Sequence, residues 1–256
     1  MEDKKILLGP KLGDLFHMLT VPRYLHYFYG IKSKIYITEK YDTFSTGLED
    51  TYKSLYEIIT QQSFCSSFEI FNPSKHQIDI DLNVFRTNGI WCTRPFWAIF
   101  LHSVFPNQPI IPKNFKVLNW KEDKKFEDYL IVHRKPLFEY NDFVEQQYLN
   151  VFNQFDKKIF LTYDENLYNQ FPLKDKIDVY ICKDLSEQLA IINGAKLGLF
   201  NATAPITMAS VLNKPRIGEL GKWINTLYGS DHLFFDNVEF FDEFEILTPN
   251  PNFLKK

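Results

Sequence analysis

The stretch that decides the fold is residues 177–213, IDVYICKDLSEQLAIINGAKLGLFNATAPITMASVLN. It begins with a β-rich run, Ile177–Ile181, and continues with helical spacing from Leu185 to Ala195. The pattern then repeats, with a strand-like run at Leu197–Phe200 and a helix-like one at Pro205–Asn213. Strands that alternate with helices of about ten to fifteen residues are typical of βαβ units, whose strands are parallel. This stretch therefore predicts an α/β protein.

The same alternation runs through the rest of the chain. Other strand-like runs are Ile6–Gly9, Lys34–Glu39, Phe68–Phe71, Ile78–Leu82, Tyr129–Val132, Lys158–Thr162 and Arg216–Gly218. Helical spacing occurs at Leu12–Tyr29, Leu48–Thr60, Trp97–Val104 and Asn141–Phe155. Pro106, Pro109 and Pro112 separate two sets of elements, and such a cluster opposes regular structure. We predict two facing Rossmann-like domains, residues 1–112 and 113–256, with a cleft between them.

The composition is that of a soluble globular protein, with 45% hydrophobic and 24% charged residues among 256. A net charge of −3 gives no basis for binding nucleic acid, which requires a basic surface. Cys65, Cys92 and Cys182 form no CxxC pair, which argues against a structural zinc site and favours a reducing compartment. No apolar run approaches the length of a membrane span. We expect a cytoplasmic protein that could associate peripherally with a membrane.

A glycine-containing stretch, Leu8-Gly-Pro-Lys-Leu-Gly-Asp14, follows the first predicted strand. Ligands of open parallel sheets bind beyond the carboxyl ends of the strands. Gly9 and Gly13 would allow a tight backbone turn there, and Asp14 would lie at the mouth of the cleft. A carboxylate in that position can act as a general base toward a hydroxyl group. Alternatively, Asp14 is only the N-cap of the following helix, a position that favours aspartate.

A second stretch, Asn201-Ala-Thr-Ala-Pro-Ile-Thr207, lies where a later predicted strand gives way to a helix. The N–H groups of Thr203, Ala204 and Ile206 would form an anion site with the positive end of the helix dipole. The small side chain of Ala204 would let a pyrophosphate approach the backbone, and the Thr203 and Thr207 hydroxyls would add donors. The alternative is an ordinary strand-to-helix turn. The ligand-contacting residues predicted here are Asn201, Thr203, Ala204, Pro205 and Thr207.

Three cationic or titratable side chains, His133, Arg134 and Lys135, directly follow another predicted strand. Such groups at a strand end suit a phosphate-rich ligand, although basic triplets also occur on surfaces that bind nothing. Asp79 and Asp81 alternate along a predicted strand, and a polar face of the sheet explains them adequately.

These motifs, in this order, resemble glycosyltransferase family nine, the heptosyltransferase-like enzymes of the two-Rossmann (GT-B) fold. That family opens with a strand, a loop that ends in Leu-Gly-Asp, and an apolar helix that contains proline. The similar parts here are Lys5-Ile-Leu-Leu8, Leu12-Gly-Asp14 and Pro22. The family's later Leu-x-Glu-Leu-Ala helix and Ala-Asp-Leu run are similar to Leu185–Ala190 and Ala195–Leu197.

The family's Asp-Ser-Gly-Pro-x-His-Leu-Ala motif is similar to 202–209, and its Leu-Gly-x-Pro ending to Leu212–Pro215. Three residues depart from it: Ala202 stands where the family has an acidic residue, Ala204 where it has glycine, and Thr207 where it has histidine. A phosphate-binding turn could persist through backbone groups. The departures leave heptose specificity open.

The resemblance implies a hexosyl- or heptosyltransferase-like enzyme that moves a sugar from a nucleotide-sugar donor to a glycan or lipid-linked saccharide acceptor. Asp14 would be the base that activates the acceptor, and Thr203–Thr207 would hold the donor diphosphate. Gly13 and residues 133–135 complete the predicted donor site. Transfer would be inverting and would need no metal or other cofactor. Two other functions stay open: a nucleotide-sugar epimerase of the same fold, which needs further acidic and histidine groups, and a non-catalytic nucleotide- or carbohydrate-binding relic.

Overall fold

The computed structural model of the chain describes residues 2–84, 100–101, 103–105, 115–137, 140, 142–219 and 238–241. The chain divides into two compact units, Met1–Asn119 and Trp120–Lys256. The proline cluster from which we placed a boundary after residue 112 lies outside the described residues. So do Cys92, Asn141 and residues 97–99 and 102 of the helix predicted at Trp97–Val104, whose other four residues are helical.

The first unit contains a four-stranded parallel sheet in the order β3-β2-β1-β4. Its strands are β1 (Lys4–Leu8), β2 (Ser33–Ile37), β3 (Cys65–Ile70) and β4 (Ile80–Asp81). Its described helices are α1 (Leu12–Met18), α2 (Thr20–Tyr29) and α3 (Leu48–Thr60), and a short 3-10 helix, Leu82–Val84, follows β4. Because these strands are parallel, the loops after β1, β2 and β4 leave from the same, carboxyl end of the sheet.

The second unit contains a six-stranded parallel sheet in the order β10-β9-β8-β5-β6-β7. Its strands are β5 (Leu130–His133), β6 (Lys158–Thr162), β7 (Asp178–Ile181), β8 (Leu197–Asn201), β9 (Arg216–Glu219) and β10 (Val238–Phe241). Its described helices are α4 (Asp142–Phe152), α5 (Glu165–Asn169), α6 (Leu185–Gly194) and α7 (Ala204–Val211). Every residue of β5, β8 and β9 is buried, as expected for parallel strands covered on both faces.

The predicted fold class is confirmed, since both units are α/β with all-parallel sheets. The helix predicted across Leu12–Tyr29, with a bend or restart at Pro22, is broken three residues earlier, at Leu19. Pro22 therefore lies in the first turn of α2, where the missing N–H removes no helical hydrogen bond. Helix α5 and strand β10 were not predicted from the sequence.

Helix α6 has an identifiable cause for each of its ends. Asp184 is its N-cap, and the side chain accepts a hydrogen bond of 2.7 Å from the Glu187 N–H. The Glu187 carboxylate in turn accepts one of 2.8 Å from the Lys183 N–H, so the pair resembles a capping box. The helix ends at Gly194, where a side chain would have no room, because a Cβ built there overlaps the Asp123 backbone.

Replacing Gly194 with alanine should therefore destabilise the fold, although alanine is normally the better helix former. We expect a loss of about 1–3 kcal/mol, typical of overpacking against backbone that cannot rotate away. Thermal and urea unfolding of the purified variant measure it. Gly30→Asn is the control, since a Cβ at Gly30 contacts nothing within 4 Å and asparagine tolerates its left-handed backbone. A Gly194→Ala variant as stable as the parent would contradict the steric argument.

Candidate functional site

The turn from β1 to α1 obtains its tight bend from an unexpected residue. Lys11 is the N-cap of α1 and has a positive φ of 72°, which is unusual for a residue other than glycine. Neither Gly9 nor Gly13 is left-handed, so the expectation that they supply the bend is wrong. The Lys11 ammonium lies 3.0 Å from an Asp42 carboxylate oxygen, which ties the turn to the loop after β2.

Gly9 is needed for a close approach instead of a bend. A Cβ built there overlaps the side-chain amide of Asn83, which follows β4 in the neighbouring segment. The Gly9 N–H points the other way and donates to the Met18 sulfur at 3.2 Å. Gly13 is the second residue of α1 and is half-buried. Any side chain at Gly9 would push Asn83 away from the end of β1.

Asp14 lies where the sequence predicts it, just beyond the carboxyl end of β1. It is the third residue of α1 and half-buried, so its carboxylate is close to the positive end of the helix dipole. The alternative that Asp14 is the N-cap is wrong, because Lys11 occupies that position and makes no capping hydrogen bond through its side chain.

Three further polar residues, not among the predicted site residues, lie together at the carboxyl end of the first sheet. The Asp81 carboxylate accepts hydrogen bonds of 2.9 Å from the backbone N–H and the side-chain amide of Asn83, and one of 3.0 Å from the Tyr41 hydroxyl. Asp79 behaves differently, because its carboxylate accepts 2.8 Å from the Lys5 N–H alongside β1. The sequence signal was available: Asp81 ends a strand and an amide follows two residues later.

In the second unit, Asn201 joins the ends of β5 and β8. Its side-chain amide donates 2.7 Å to the Lys135 carbonyl and accepts 3.2 Å from the Lys135 N–H. Asn201 is fully buried, and both of its amide atoms are thereby used within the protein. Its role in the structure is to fix the backbone at Lys135, whose side chain is exposed.

The turn between β8 and α7 offers fewer backbone donors than predicted. The Thr203 N–H donates 2.6 Å to the Asn201 carbonyl, and the Ile206 N–H donates 3.2 Å to the Thr203 carbonyl. The Ala204 N–H makes no hydrogen bond with any residue that the structure describes. Pro205 is buried and has no N–H, and Thr207 is buried within α7. Of the three predicted N–H groups, that of Ala204 is the one left at the helix start.

The basic triplet after β5 contributes one exposed cation. Burial lowers the pKa of His133 to about 4, so the ring is neutral at pH 7, and its Nδ1 is 2.7 Å from the Leu161 carbonyl oxygen. Arg134 is buried in a bidentate ion pair with Glu219, with both N···O distances 2.8 Å. The burial of His133 and Arg134 therefore differs from the exposure expected of phosphate ligands. Of the three side chains, only that of Lys135 is exposed.

Glu219 is the centre of this buried cluster. Its carboxylate also accepts a short hydrogen bond from the Tyr148 hydroxyl, and the Arg134 guanidinium lies 4.9 Å from the centre of the Tyr140 ring. Burial, followed by the Glu219 charge, raises the pKa of Tyr148 well above its usual value, so the hydroxyl stays a proton donor. The cluster joins β5, α4 and β9 through side chains separated by up to 85 residues.

Three apolar side chains are exposed at the carboxyl ends of neighbouring strands of the second sheet. Tyr163 directly follows β6, Ile181 ends β7, and Leu137 follows β5; all three are exposed. Thr162 and Ile181 are paired in the parallel register, so Tyr163 lies one residue beyond that pair. Exposed apolar side chains at the carboxyl ends of parallel strands suit a flat aromatic ligand.

The described part of the chain contains no group of three or more His, Cys, Asp or Glu side chains that could hold a metal ion. Cys65 and Cys182 are buried free thiols, and burial raises the pKa of Cys65 to about 11 and that of Cys182 to about 12. No helix within the described ranges is long and apolar enough to cross a membrane.

Replacing Glu219 with glutamine should leave the Arg134 charge buried and uncompensated, at a cost of about 3–5 kcal/mol of stability. The matched control is Asp128→Asn, which breaks an exposed pair with Lys157 and should cost at most about 1 kcal/mol. Urea unfolding of both variants makes the comparison. Equal losses would mean that the buried pair is not a major source of stability.

Comparison with protein-family models and with curated proteins finds no match. Solved structures do match. E. coli heptosyltransferase WaaC with ADP-2-deoxy-2-fluoro heptose has a TM-score of 0.55 at 11% identity, covering 93% of this chain and 92% of that chain. A glycosyl transferase family 9 protein from Veillonella parvula DSM 2008 has a TM-score of 0.55 at 11% identity, covering 94% of this chain and 86% of that chain. The iron-containing dodecameric glycosyltransferase TibC from enterotoxigenic E. coli H10407 has a TM-score of 0.54 at 12% identity, covering 86% of this chain and 59% of that chain. The resemblance to glycosyltransferase family nine is thus confirmed as a likeness of fold, and this chain has the fold of these glycosyltransferases.

Proposed function

We propose that this protein is a glycosyltransferase that transfers a sugar from a nucleotide-sugar donor to a glycan or lipid-linked saccharide acceptor. The observation that carries the proposal is the likeness of fold to a heptosyltransferase over 93% of this chain and 92% of the other. The WaaC structure is described with an ADP-sugar analogue, which supports a nucleotide sugar as the donor class. Asp14 provides the acidic group that such a transfer needs on the acceptor side.

In the proposed reaction Asp14 removes the proton of an acceptor hydroxyl as that oxygen attacks the anomeric carbon of the donor. The bond from the anomeric carbon to the diphosphate breaks, and the nucleoside diphosphate leaves with the bonding electrons. A single displacement of this kind inverts the anomeric configuration. The position of Asp14 in the first turn of α1 supports this role, since the positive end of a helix dipole favours a carboxylate there.

We assign the donor diphosphate to the turn between β8 and α7. The Ala204 N–H, the positive end of α7 and the exposed Lys135 ammonium are the groups that would bind it. Thr203 is half-buried at the N-cap, and its hydroxyl, which donates 3.2 Å to the Asn201 carbonyl, would have to turn to reach a phosphate. The nucleobase would pack on Tyr163 and Ile181. The backbone of this site would be held in place by five buried residues, Asn201, Pro205, Thr207, His133 and Arg134.

Charge neutralisation by Lys135 and the α7 dipole supports transfer without a metal ion, which we propose as the mode of action. TibC is described as iron-containing, so the metal requirement has to be measured directly. Activity in a chelating buffer is the test.

A second candidate function is favoured by one feature of the turn. The N–H groups of Thr203 and Ile206 donate hydrogen bonds within the protein. The family's acidic residue, glycine and histidine are replaced by Ala202, Ala204 and Thr207. Such a turn fits a non-catalytic nucleotide- or carbohydrate-binding relic as well. The two candidates differ in whether a bound nucleotide sugar is consumed.

The catalytic role of Asp14 can be separated from its structural role. A donor is first selected by thermal shift from a panel of nucleotide sugars, and turnover is then followed by release of the nucleoside diphosphate, with and without EDTA. Asp14→Asn should lower turnover by about 10²–10⁴-fold, the usual contribution of a general base, with donor affinity nearly unchanged. EDTA should have no effect on the parent protein.

Asp50→Asn is the matched control for Asp14→Asn. Asp50 is the third residue of α3, the same helix position that Asp14 has in α1, so both changes remove a dipole interaction of about 0.3–1 kcal/mol. Asp50→Asn also removes an exposed pair with Lys53, which contributes little. Melting temperatures should fall alike, and turnover should fall only for Asp14→Asn. Full activity of Asp14→Asn would exclude Asp14 as the base.

Replacing Ala204 with leucine should weaken nucleotide binding at least about tenfold, because the longer side chain would block access to the one N–H left at the start of α7. Isothermal titration with ADP and UDP measures the effect. Gln146→Leu, on the exposed face of α4, adds a similar apolar side chain elsewhere in the unit and should leave affinity unchanged. If Ala204→Leu binds the nucleotides as the parent does, the diphosphate site lies elsewhere.

A further inference from the structure

Three segments meet at the carboxyl edge of the first sheet through side-chain contacts. The loop after β2 supplies Asp42, which pairs with Lys11 of the β1–α1 turn at 3.0 Å. The same loop supplies Tyr41, whose hydroxyl donates 3.0 Å to Asp81 at the end of β4. Strands β1 and β4 are neighbours, with Leu7 paired to Asp81. The segment that carries Asp81 therefore lies beside the turn that leads into Asp14.

Asn83 holds the Asp81 carboxylate in a fixed orientation. Its backbone N–H and side-chain amide both donate 2.9 Å to the same carboxylate oxygen. Asn83 is fully buried, and its carbonyl oxygen, which lies against Gly9, makes no hydrogen bond within the described structure. A buried amide oxygen without a partner is costly. Such an atom is common where a ligand or water completes a site.

The second oxygen of Asp81 is the one that can act on a ligand. It accepts one hydrogen bond from Tyr41, and a carboxylate oxygen has room for a second. Asp81 is half-buried and Tyr41 is exposed, with the Lys40 ammonium 5.1 Å from the centre of its ring. A fixed carboxylate beside a hydroxyl offers two adjacent acceptor positions. Two neighbouring hydroxyl groups of a sugar match that arrangement.

Asp79 shows what a purely structural aspartate looks like on the same strand segment. One oxygen of its carboxylate accepts 2.8 Å from the Lys5 backbone N–H, a contact that closes the sheet beside β1. Asp81 makes the turn into the 3-10 helix Leu82–Val84 with one oxygen, which leaves the other outside that turn. The two carboxylates are therefore distinguishable by experiment.

We propose that Asp81 and Tyr41 bind a saccharide through two neighbouring hydroxyl groups, and that Asn83 is a positioning residue for Asp81. In naming this saccharide as the acceptor, the inference rests on the proposed function. Binding here places the sugar next to the turn that carries Asp14. Asp81 is thus a specificity-determining residue of the acceptor side, and Gly9 is required because Asn83 occupies the space of its side chain.

The probe is an array of immobilised mono- to tetrasaccharides, with no donor present. The parent protein should be captured by at least one saccharide. Asp81→Asn and Tyr41→Phe should each weaken that capture about tenfold or more, the effect of losing one charge-assisted or hydroxyl hydrogen bond. Asn83→Ala should weaken it as well, while titration with ADP or UDP is unchanged for all three variants. Asp79→Asn should bind the array as the parent does.

Three results would overturn the proposal: no saccharide captured by the parent protein, undiminished capture by both Asp81→Asn and Tyr41→Phe, or an equal loss in Asp79→Asn. Circular dichroism melting identifies a variant that fails to fold, in which case the other variant decides. Saccharide capture without nucleotide binding would contradict the proposed function and leave the saccharide site standing. Nucleotide binding without saccharide capture would do the reverse.

Discussion

Strands that are buried on both faces leave polar side chains only at their ends, and this constraint determines where chemistry can occur. In the second unit, β5, β8 and β9 have no exposed residue, and their polar groups are confined to His133, Asn201 and the Arg216–Glu219 strand termini. Buried polar groups must be paired. The carboxyl ends of the strands therefore carry two kinds of polar residue. One kind is hydrogen-bonded within the protein, and the other is exposed and could contact a ligand.

The cluster around Glu219 belongs to the first kind. Arg134 looks like a phosphate ligand in the sequence, but a buried guanidinium needs a partner, and the Glu219 carboxylate matches its geometry with two parallel hydrogen bonds. Tyr148 occupies a further position on that carboxylate. The charges of Arg134 and Glu219 cancel locally. Lys135, one residue later and beyond the sheet, is the cation that a ligand would meet.

Periodicity predicted most elements because it is local. The helix at Leu48–Thr60 and the strand at Lys158–Thr162 have the bounds that were expected, and Asp14 follows β1 as expected. Contacts across the sequence were not predictable in this way. The Arg134–Glu219 pair spans 85 residues, and burial of Thr207 depends on how α7 packs. The bend at Lys11 was missed because the sequence offers glycines on either side that fit such a turn better.

The N–H groups of Thr203 and Ile206 already donate within the protein, so backbone hydrogen bonds would contribute less to donor binding than the sequence predicts. A helix dipole contributes about 0.3–1 kcal/mol to an exposed anion, and an exposed lysine adds a similar screened amount. Packing a nucleobase against Tyr163 and Ile181 would remove on the order of 100 Å² of apolar surface from water, worth about 2.5 kcal/mol at about 25 cal/mol per Å². The apolar contact is the larger contribution. Because hydrophobic burial is insensitive to salt and the phosphate contacts are not, base packing should set the affinity, while the charges orient the diphosphate for departure.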